Sequence, residues 1–508
     1  MLTGIVKSLP CYLWRNFCKY KYYRVNFSDA DKENEGMRYK TGLLFFLLMV
    51  KAASAQEMLG ISNSNYSGNM GIFLNPSTIV DAPYKYEFNL IAGDFFAQNT
   101  YMYSPTDRKI ISRSLFGTVP NEINWFDNYN GATQKGFAHT LIIGPSYIND
   151  SKGTEAWGFH TAYRNEVSAL DVPASLAKYV YQKYNYAPFN NQTFNSNPFS
   201  AAWLSFVELG GTYGKVYMET EKDFVKWAAT VNVLVGLDGL YLDARKLNYT
   251  VVDTTLAVAH TVDATLAEAL DAKNSGGLGS IFPIRGMGLS TTLGVTYMHK
   301  RHPGSYECGD IADALPKYQY RAGLSLIDFG MIRFFNQDQV STLQTNTDRS
   351  LSRLDTVRFS SLGNFTANAN NLINGSVVTQ KKAFTMFLPT AISGQFDYSL
   401  TKNIYANATL VNRLYFGANE VARGNQLDLS ARYEKRKWEA SIDYTLFEYS
   451  QSALGVGLRY SFFVLGTDRL LEWMGVSNVE SFDIFFGFKF NFCDWPFTKK
   501  NCPAYAPG

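Results

Sequence analysis

The sequence predicts an all-β fold, a transmembrane antiparallel β-barrel of about 14 strands within a range of about 12 to 16. Three observations predict it: apolar and polar residues alternate over whole strands in the C-terminal third, the apolar content is dispersed, and an export signal precedes the first strand. Hydrophobic residues make up 46% of the 508 and aromatics 15%, yet the mean hydropathy lies slightly below zero. A membrane-spanning helix needs about 20 consecutive apolar residues. The longest run here is the short stretch 42–50, which excludes a bundle of such helices. Lys+Arg 47 against Asp+Glu 44 leaves a net charge of +3, which offers no basic field for nucleic acid. The 33 Tyr, 37 Phe and 39 Gly against 16 Pro fit many strands with aromatic rims, a composition that a large soluble β-protein would share.

In chain order, residues 1–36 come first, with Lys7, Arg15, Lys19, Lys21 and Arg24 and a polar stretch 28–36. They match no part of an export signal and read either as an upstream extension from a start codon placed too early or as a long n-region or cytoplasmic arm. Residues 37–55 read as a signal peptide. Met37-Arg38-Tyr39-Lys40 is its basic n-region, 42–50 its apolar h-region, and Ala53-Ser54-Ala55 its small-residue cleavage site. The mature chain then begins at Gln56, with no cysteine after the cleavage site to take a lipid anchor. Residues 56–80 form an N-terminal plug or entry segment, 81–492 the barrel and 493–508 a tail. The expected location is the bacterial outer membrane.

Candidate strands run 84–99, 140–147, 157–168, 203–218 and 224–249. Leu289, Thr291, Leu293, Val295 and Tyr297 share a face, as do Tyr320, Ala322, Leu324 and Leu326. A hairpin follows, in which Phe396, Tyr398 and Leu400 alternate with Gln395, Asp397 and Ser399, turn at Thr401-Lys402-Asn403, and resume with Ile404, Ala406, Ala408 and Leu410. The clearest hairpin sets Leu427, Leu429, Ala431 and Tyr433 against Gln426, Asp428, Ser430, Arg432 and Glu434. After Lys435-Arg436-Lys437 it sets Trp438, Ala440, Ile442 and Tyr444 against Glu439, Ser441, Asp443 and Thr445. Such a period of two marks strands with unlike faces. Leu454 to Phe462 alternates with Gly455, Gly457 and Arg459, and the last strand carries Ile484, Phe486, Phe488, Phe490 and Phe492 on one face, interrupted by Phe485.

A sandwich turns its apolar faces into a core, whereas a membrane barrel turns them to lipid and keeps charge and glycine inside. Charges on consecutive long strands behind a signal peptide favour the barrel. Asp428, Arg432, Glu439, Asp443, Arg459 and Lys489 are therefore the candidate lumen-lining residues. They suit a pore that tunes ion preference, but alternation in any barrel produces them. Gly455, Gly457 and Gly487 leave space inside; Phe485 and Arg459 fill it.

Two connecting segments read as short helices. One starts at Asp171-Val172-Pro173 and carries Leu176, Tyr179, Val180 and Lys183; the other carries Val262, Leu266, Ala269 and Leu270. Residues 336–378, rich in Asn, Thr and Ser, read as a long loop with a strand near 354–359. No internal repeat is evident.

Enzyme chemistry is not indicated. The chain has no G-x-S-x-G elbow, Walker loop or HExxH, so no catalytic, cofactor or metal site is expected. His299 and His302 beside Lys300 and Arg301 fit a polar strand end better than a metal site. Gly276-Gly277-Leu278-Gly279 reads as a turn rather than a phosphate cradle. The five cysteines are Cys11, Cys18, Cys308, Cys493 and Cys502, none in C-x-x-C spacing. Cys493 and Cys502 either close a small loop in the oxidising periplasm or remain two free thiols.

Several separated stretches resemble an uncharacterised family of Bacteroidota-type outer-membrane barrels. They are 60–77, which ends Asn75-Pro76-Ser77; 81–90; 227–249 with its Gly-Leu-Asp-Gly-Leu-Tyr-Leu core; 286–297; 320–330; 463–469; and Cys502-Pro503-Ala504-Tyr505. The Asn75-Pro76-Ser77 element is also similar to the Asn-Pro-Ala element before the first strand of the long-chain fatty-acid porin superfamily, with Ser in place of Ala. That resemblance implies 14 strands and an N-terminal plug, in a group where some members pass hydrophobic molecules and others serve secretion systems. A local Asn-Pro turn accounts for the same residues. Two functions follow as expectations. One is passage of small or hydrophobic solutes. The other is a structural barrel, associated with secretion or motility, that binds envelope proteins. The partners expected are outer-membrane lipid, a small hydrophobic ligand or an envelope protein, with no nucleic acid and no cofactor.

Overall fold

The computed structural model describes residues 58–105, 125–182, 184–254, 256–269, 284–301, 317–335, 339–352, 377–381 and 383–493. The upstream extension, the signal peptide, Cys11, Cys18, Cys308, Cys502, His302, Gly276 to Gly279 and the strand expected near 354–359 lie outside the described residues.

Fourteen strands close into an antiparallel barrel. They are β1 Tyr86–Asn99, β2 in two pieces (Gln134–Ile143 and Ser146–Asn149), β3 Glu155–Val172, β4 Phe199–Glu219, β5 Asp223–Val251, β6 Gly286–Lys300 and β7 Tyr318–Phe334. Next come β8, also in two pieces (Phe384–Phe387 and Ala391–Ser399), β9 Ile404–Arg413, β10 Gln426–Glu434, β11 Trp438–Phe447, β12 Gln451–Tyr460, β13 Phe463–Thr467 and β14 Ser481–Phe492. Closure runs from Tyr86 opposite Phe492 to Gln98 opposite Ser481. Pairing every edge removes the open hydrogen-bonding groups that hydrocarbon cannot satisfy.

The alternation turns charge inward and apolar groups outward. In β10, Leu429 is 50% exposed whereas Asp428 next to it is fully buried. Exposed aromatics gather where the strands join by short turns: Trp157 opposite Tyr213, and Trp438 opposite Tyr460, with Trp227 and Phe462 nearby. Such a girdle sits at the level of lipid headgroups in an outer-membrane barrel.

Two prolines break strands. Pro145 lacks a ladder donor, and β2 is held across the gap by Asn89, whose Nδ2 donates to the Gly144 carbonyl at 3.0 Å. In β8, Pro389 separates the two pieces.

The strand β5 has 29 residues, where about 9 to 11 cross a bilayer. Its first half pairs with β6 and its second half with a further strand, Leu256–Ala269. This strand in turn pairs with Gln339–Thr345 and Arg349–Ser352, and Val377–Lys381 completes the extension.

Two sequence expectations are corrected here. Val262, Leu266 and Ala269 lie on a strand, not a helix. The helical spacing coexists with an alternation through Ala257 and Ala259 and, after a bulge, through Val262, Ala264 and Leu266, all buried, and the open edge of β5 supplies ladder partners that a lone helix lacks. Likewise, 336–378 is not one loop, since two strands of the extension fall within it and a third, Val377–Lys381, begins at its end. The helix expected after Pro173 forms as α2, Ala174–Tyr181, following the single turn α1, Leu59–Ser62. A third, α3 Leu470–Met474, joins β13 to β14. Among the described residues no helix is long and apolar enough to cross a membrane.

Candidate functional site: the filled lumen

Residues 58–80 occupy the lumen and are almost wholly buried. The Asn75-Pro76-Ser77 element shows how this plug is fastened. Asn75 caps the turn Pro76–Ile79 by accepting from the Ser77 amide at 3.0 Å, and Pro76 supplies the φ that such a start requires. The same Asn75 side chain donates to Gln395 Oε1 of β8 at 2.9 Å, while Ser77 Oγ meets Thr296 Oγ1 of β6 at 2.6 Å. A side chain at Gly294 would collide with Asn75, and one at Gly323 would come within 2.9 Å of it.

The glycines that promise space inside are plug seats as well. A Cβ at Gly487 would strike the Met70 methyl, and one at Gly457 would lie 3.1 Å from Ile61. Phe485 faces inward and packs with Met58, Ile61 and Met70.

All six candidate lumen-lining residues are buried on the inner face, but most of them touch the plug rather than water. Glu439 accepts from Ser64 Oγ at 2.9 Å and pairs with Arg459 Nε at 2.9 Å. The Arg459 guanidinium lies 4.2 Å from the Tyr66 ring centre. Lys489 Nζ donates to the Ser67 carbonyl at 2.8 Å. Arg432 joins Asp397 at 2.7 Å and Glu434 at 2.6 Å, and Glu434 accepts from Asn65 Nδ2 at 2.8 Å. Asp443 lies against Gly60, while Asp428 accepts from Thr445 at 3.1 Å. A polar cavity of about 20 Å³ between Asn63, Asn75, Lys226, Arg321 and Asp397 has room for a water or two.

A second group of residues went unread in the sequence. Arg164 of β3 makes a two-pronged bond to Asp328 of β7 at 2.9 and 2.8 Å. These strands are not neighbours, so the pair spans the lumen. Around it, Glu166 binds Arg164 at 2.8 Å and His139 at 2.6 Å, and Glu208 binds His160 at 3.0 Å. His160 also meets the ring of Phe73 in the plug edge-on at 5.1 Å. The signal was present in β3, whose every second residue from His160 to Glu166 faces inward. Asp328 gave no signal, since its place depends on a bulge with φ 53°.

Above this network the lumen turns apolar. On one side Phe447 packs against Phe96 and Phe137, each at 5.3 Å between ring centres. On the other, Leu204, Phe206, Leu234, Phe334, Phe384 and Met386 form a buried cluster. The connection between β9 and β10, residues 414–425, folds inward between them. Val421 joins the second cluster and Ala422 the first. The Ala422 amide donates to Ser168 Oγ at 2.9 Å, and Arg423 reaches Asp328 at 2.5 Å and the Pro389 carbonyl at 3.0 Å. Within this loop, burial pushes the Glu420 carboxyl up to about 7. At the opposite end Asp150, in the turn after β2, is pushed up to about 7 by the same cause.

Cys493, just past β14, is disulfide-bonded. His299 at the end of β6 pairs with Asp223 at 3.3 Å and stacks on Tyr320 at 5.2 Å, which gives it a structural role at the strand end.

Comparison with solved structures returns barrels at low identity. The Ralstonia pickettii toluene transporter TbuX is 10% identical, with 84% of this chain and 94% of that chain covered at TM-score 0.36. The deltaS2S3 mutant of the monoaromatic hydrocarbon channel TodX is 11% identical, covering 87% and 100% at TM-score 0.40. A Pseudomonas aeruginosa FadL homologue is 9% identical, covering 86% and 97% at TM-score 0.22. No curated protein sequence matches. The profile of a family of unknown function, DUF5723, matches residues 91–468, and the chain, an outer-membrane-type β-barrel, belongs to that family.

Proposed function

We propose that this barrel resides in the bacterial outer membrane and passes small apolar solutes. The observation that carries the reading is the apolar outer half of the lumen, in a class of barrel whose interior is ordinarily polar. A solute entering there would take the place of Val421 and Ala422 between the two aromatic clusters, gaining about 25 cal/mol for each Å² of apolar surface withdrawn from water. Below it the Arg164–Asp328 bridge and the plug close the axial route, so onward passage requires the loop and the plug to shift.

The test is binding and conductance of the purified mature barrel. An apolar fluorophore such as N-phenyl-1-naphthylamine is expected to bind saturably, and Val421→Asp is expected to weaken that binding at least tenfold. Wild-type single-channel current is expected to be small, rising in Arg423→Ala. Absence of saturable binding in both wild type and Arg423→Ala would sink the proposal.

A second reading rests on a different observation. The interior is filled, and the sheet extension stands far beyond the bilayer. A closed barrel that displays this extension to an envelope protein would show neither binding nor current, and cross-linking at Leu256–Ala269 would capture a partner.

A further inference from the structure

The turn between β10 and β11 is Lys435-Arg436-Lys437, three cations in a row. Two other short turns at this end of the barrel carry mixed charge, Asp150 with Lys152 and Glu221 with Lys222. Here the flanking carboxylates point the other way. Glu434 and Glu439 are at most 2% exposed and face the lumen, where they hold Arg432 and Arg459. Neither neutralises the turn, in which Arg436 and Lys437 are exposed and Lys435 is half-buried. Like charges on neighbouring residues repel one another, and an anion held between them relieves the repulsion.

The backbone beneath these cations is pinned. The Lys435 amide donates to the Trp438 carbonyl at 2.8 Å, and the Lys437 carbonyl accepts from the Ser461 amide at 2.5 Å. From inside, the Arg459 guanidinium donates to the Lys435 and Arg436 carbonyls at 2.9 and 3.2 Å. Beside the turn, Tyr433 and Trp438 stack at 4.8 Å between ring centres, and the Lys435 ammonium lies 5.5 and 5.9 Å from those two centres. These rings belong to the girdle at headgroup level, so the cations stand at the same height.

Beyond the girdle the outer wall dips. A line of small residues climbs diagonally from Ala440 of β11 through Ala431 of β10 to Ala406 and Ala408 of β9. Larger groups flank it, Phe396 opposite Ala408 and Leu458 opposite Ala440, 47% and 52% exposed. This furrow starts two residues from Trp438 and leads away from the turn into the apolar band.

We propose that this corner of the barrel binds one anionic phospholipid of the periplasmic leaflet, with its phosphate among Lys435, Arg436 and Lys437 and an acyl chain in the alanine furrow. The inference rests on the membrane placement proposed above, with short turns on the periplasmic side, and is independent of the solute that the barrel passes. A cationic turn alone would suit any anion. The furrow leading from it and the rings beside it select a molecule that is anionic at one end and apolar at the other. Each Lys or Arg near an anionic lipid surface is worth about fivefold in affinity, so three give about a hundredfold, and less where salt screens them.

In the experiment the full chain, exported with its own signal, is purified from membranes in detergent, stripped of lipid and checked for folding by its heat-shifted gel mobility. Native mass spectrometry then counts the lipids retained as phosphatidylglycerol or phosphatidylcholine is added. Wild type is expected to take up one phosphatidylglycerol about tenfold more tightly than any phosphatidylcholine, and Lys435→Gln/Arg436→Gln/Lys437→Gln is expected to lose that preference. Lys222→Gln, at another turn, is expected to keep it. Ala431→Phe, which fills the furrow and leaves the charges in place, is expected to weaken both lipids, and millimolar inorganic phosphate is expected to displace neither. Equal retention by wild type and the triple variant, the result expected if the patch serves an acidic protein instead, would overturn the proposal. So would displacement by phosphate, or undiminished binding in Ala431→Phe. A chain recovered outside the membrane fraction would overturn the membrane placement and this inference together, whereas any of those three results from a heat-shifted barrel in the membrane fraction overturns this inference alone.

Discussion

The two halves of the lumen are built on opposite principles. Around the plug, beside apolar seats such as that of Phe485 on Ile61 and Met70, charged side chains are locked pairwise, as Arg432 is by Asp397 and Glu434. Near the mouth, Val421 and Ala422 of the loop 414–425 are wedged between apolar clusters by contacts that have no direction, with hydrogen bonds from the Ala422 amide and Arg423 beside them. Directional pairs fix one arrangement and are costly to break singly, because each leaves a buried charge behind. Apolar contacts can be exchanged for those of another apolar body of similar volume. The plug half is therefore the fixed part of the barrel and the mouth the replaceable part.

The largest effect is expected at the bridge between the halves. Arg164→Ala leaves Asp328, Glu166 and Glu208 facing one another, and should destabilise the barrel by about 3–5 kcal/mol, read as a lower urea midpoint. If the loss is under about 1 kcal/mol, the network is solvated and the division into halves fails. Next, Gly487→Ala forces the Met70 side chain out of its seat and should cost about 1–3 kcal/mol, with proteolysis exposing 58–80 before the wall unfolds. In the mouth, Phe447→Ala should lower stability by about 3–5 kcal/mol if its pocket cannot collapse and by less if the loop settles into the gap. A small loss accompanied by tighter binding of the apolar fluorophore would sharpen the view of the mouth as replaceable.

The smallest effect concerns pH. Glu420 has its folded value raised to about 7 by burial, against an unfolded value of about 4.3. The raised value means that its contribution is fully present below about pH 4 and lost as pH rises through 7. Wild type should thus hold the loop more firmly at pH 5 than at pH 8, measured by hydrogen exchange of 414–425, and Glu420→Gln should flatten that difference. An unchanged slope in the variant would assign the pH dependence to other groups, Asp150 among them.

The barrel was legible in the sequence because its wall obeys one local rule. Asp428 and Arg432 against Leu429 and Ala431 follow directly from alternation, and the pattern alone places them inside. The spacing of Val262, Leu266 and Ala269 in the strand Leu256–Ala269 satisfies the helical period as well as the strand's own, and only the unpaired edge of β5 decides between them. The site was far less legible. Arg164 and Asp328 are brought together by closure across a lumen, and Asp328 by a bulge, neither of which leaves a mark at a single position. The glycines were legible as space but not as occupied space, since nothing local to Gly487 announces Met70.

The way the plug is anchored has a consequence for the order of assembly. Asn63 Nδ2 bonds Thr409, 346 residues further on, at 2.5 Å, and Lys489 lies 422 residues from Ser67, whose carbonyl it binds. A segment synthesised early thus depends on partners synthesised several hundred residues later, and contacts of such separation form late. Until then it must wait without a surface to lie on. A run such as Ser62-Asn63-Ser64-Asn65, followed by Ser67-Gly68-Asn69, can wait in water without aggregating. The polarity of this run thus serves the unfinished chain as well as the finished barrel.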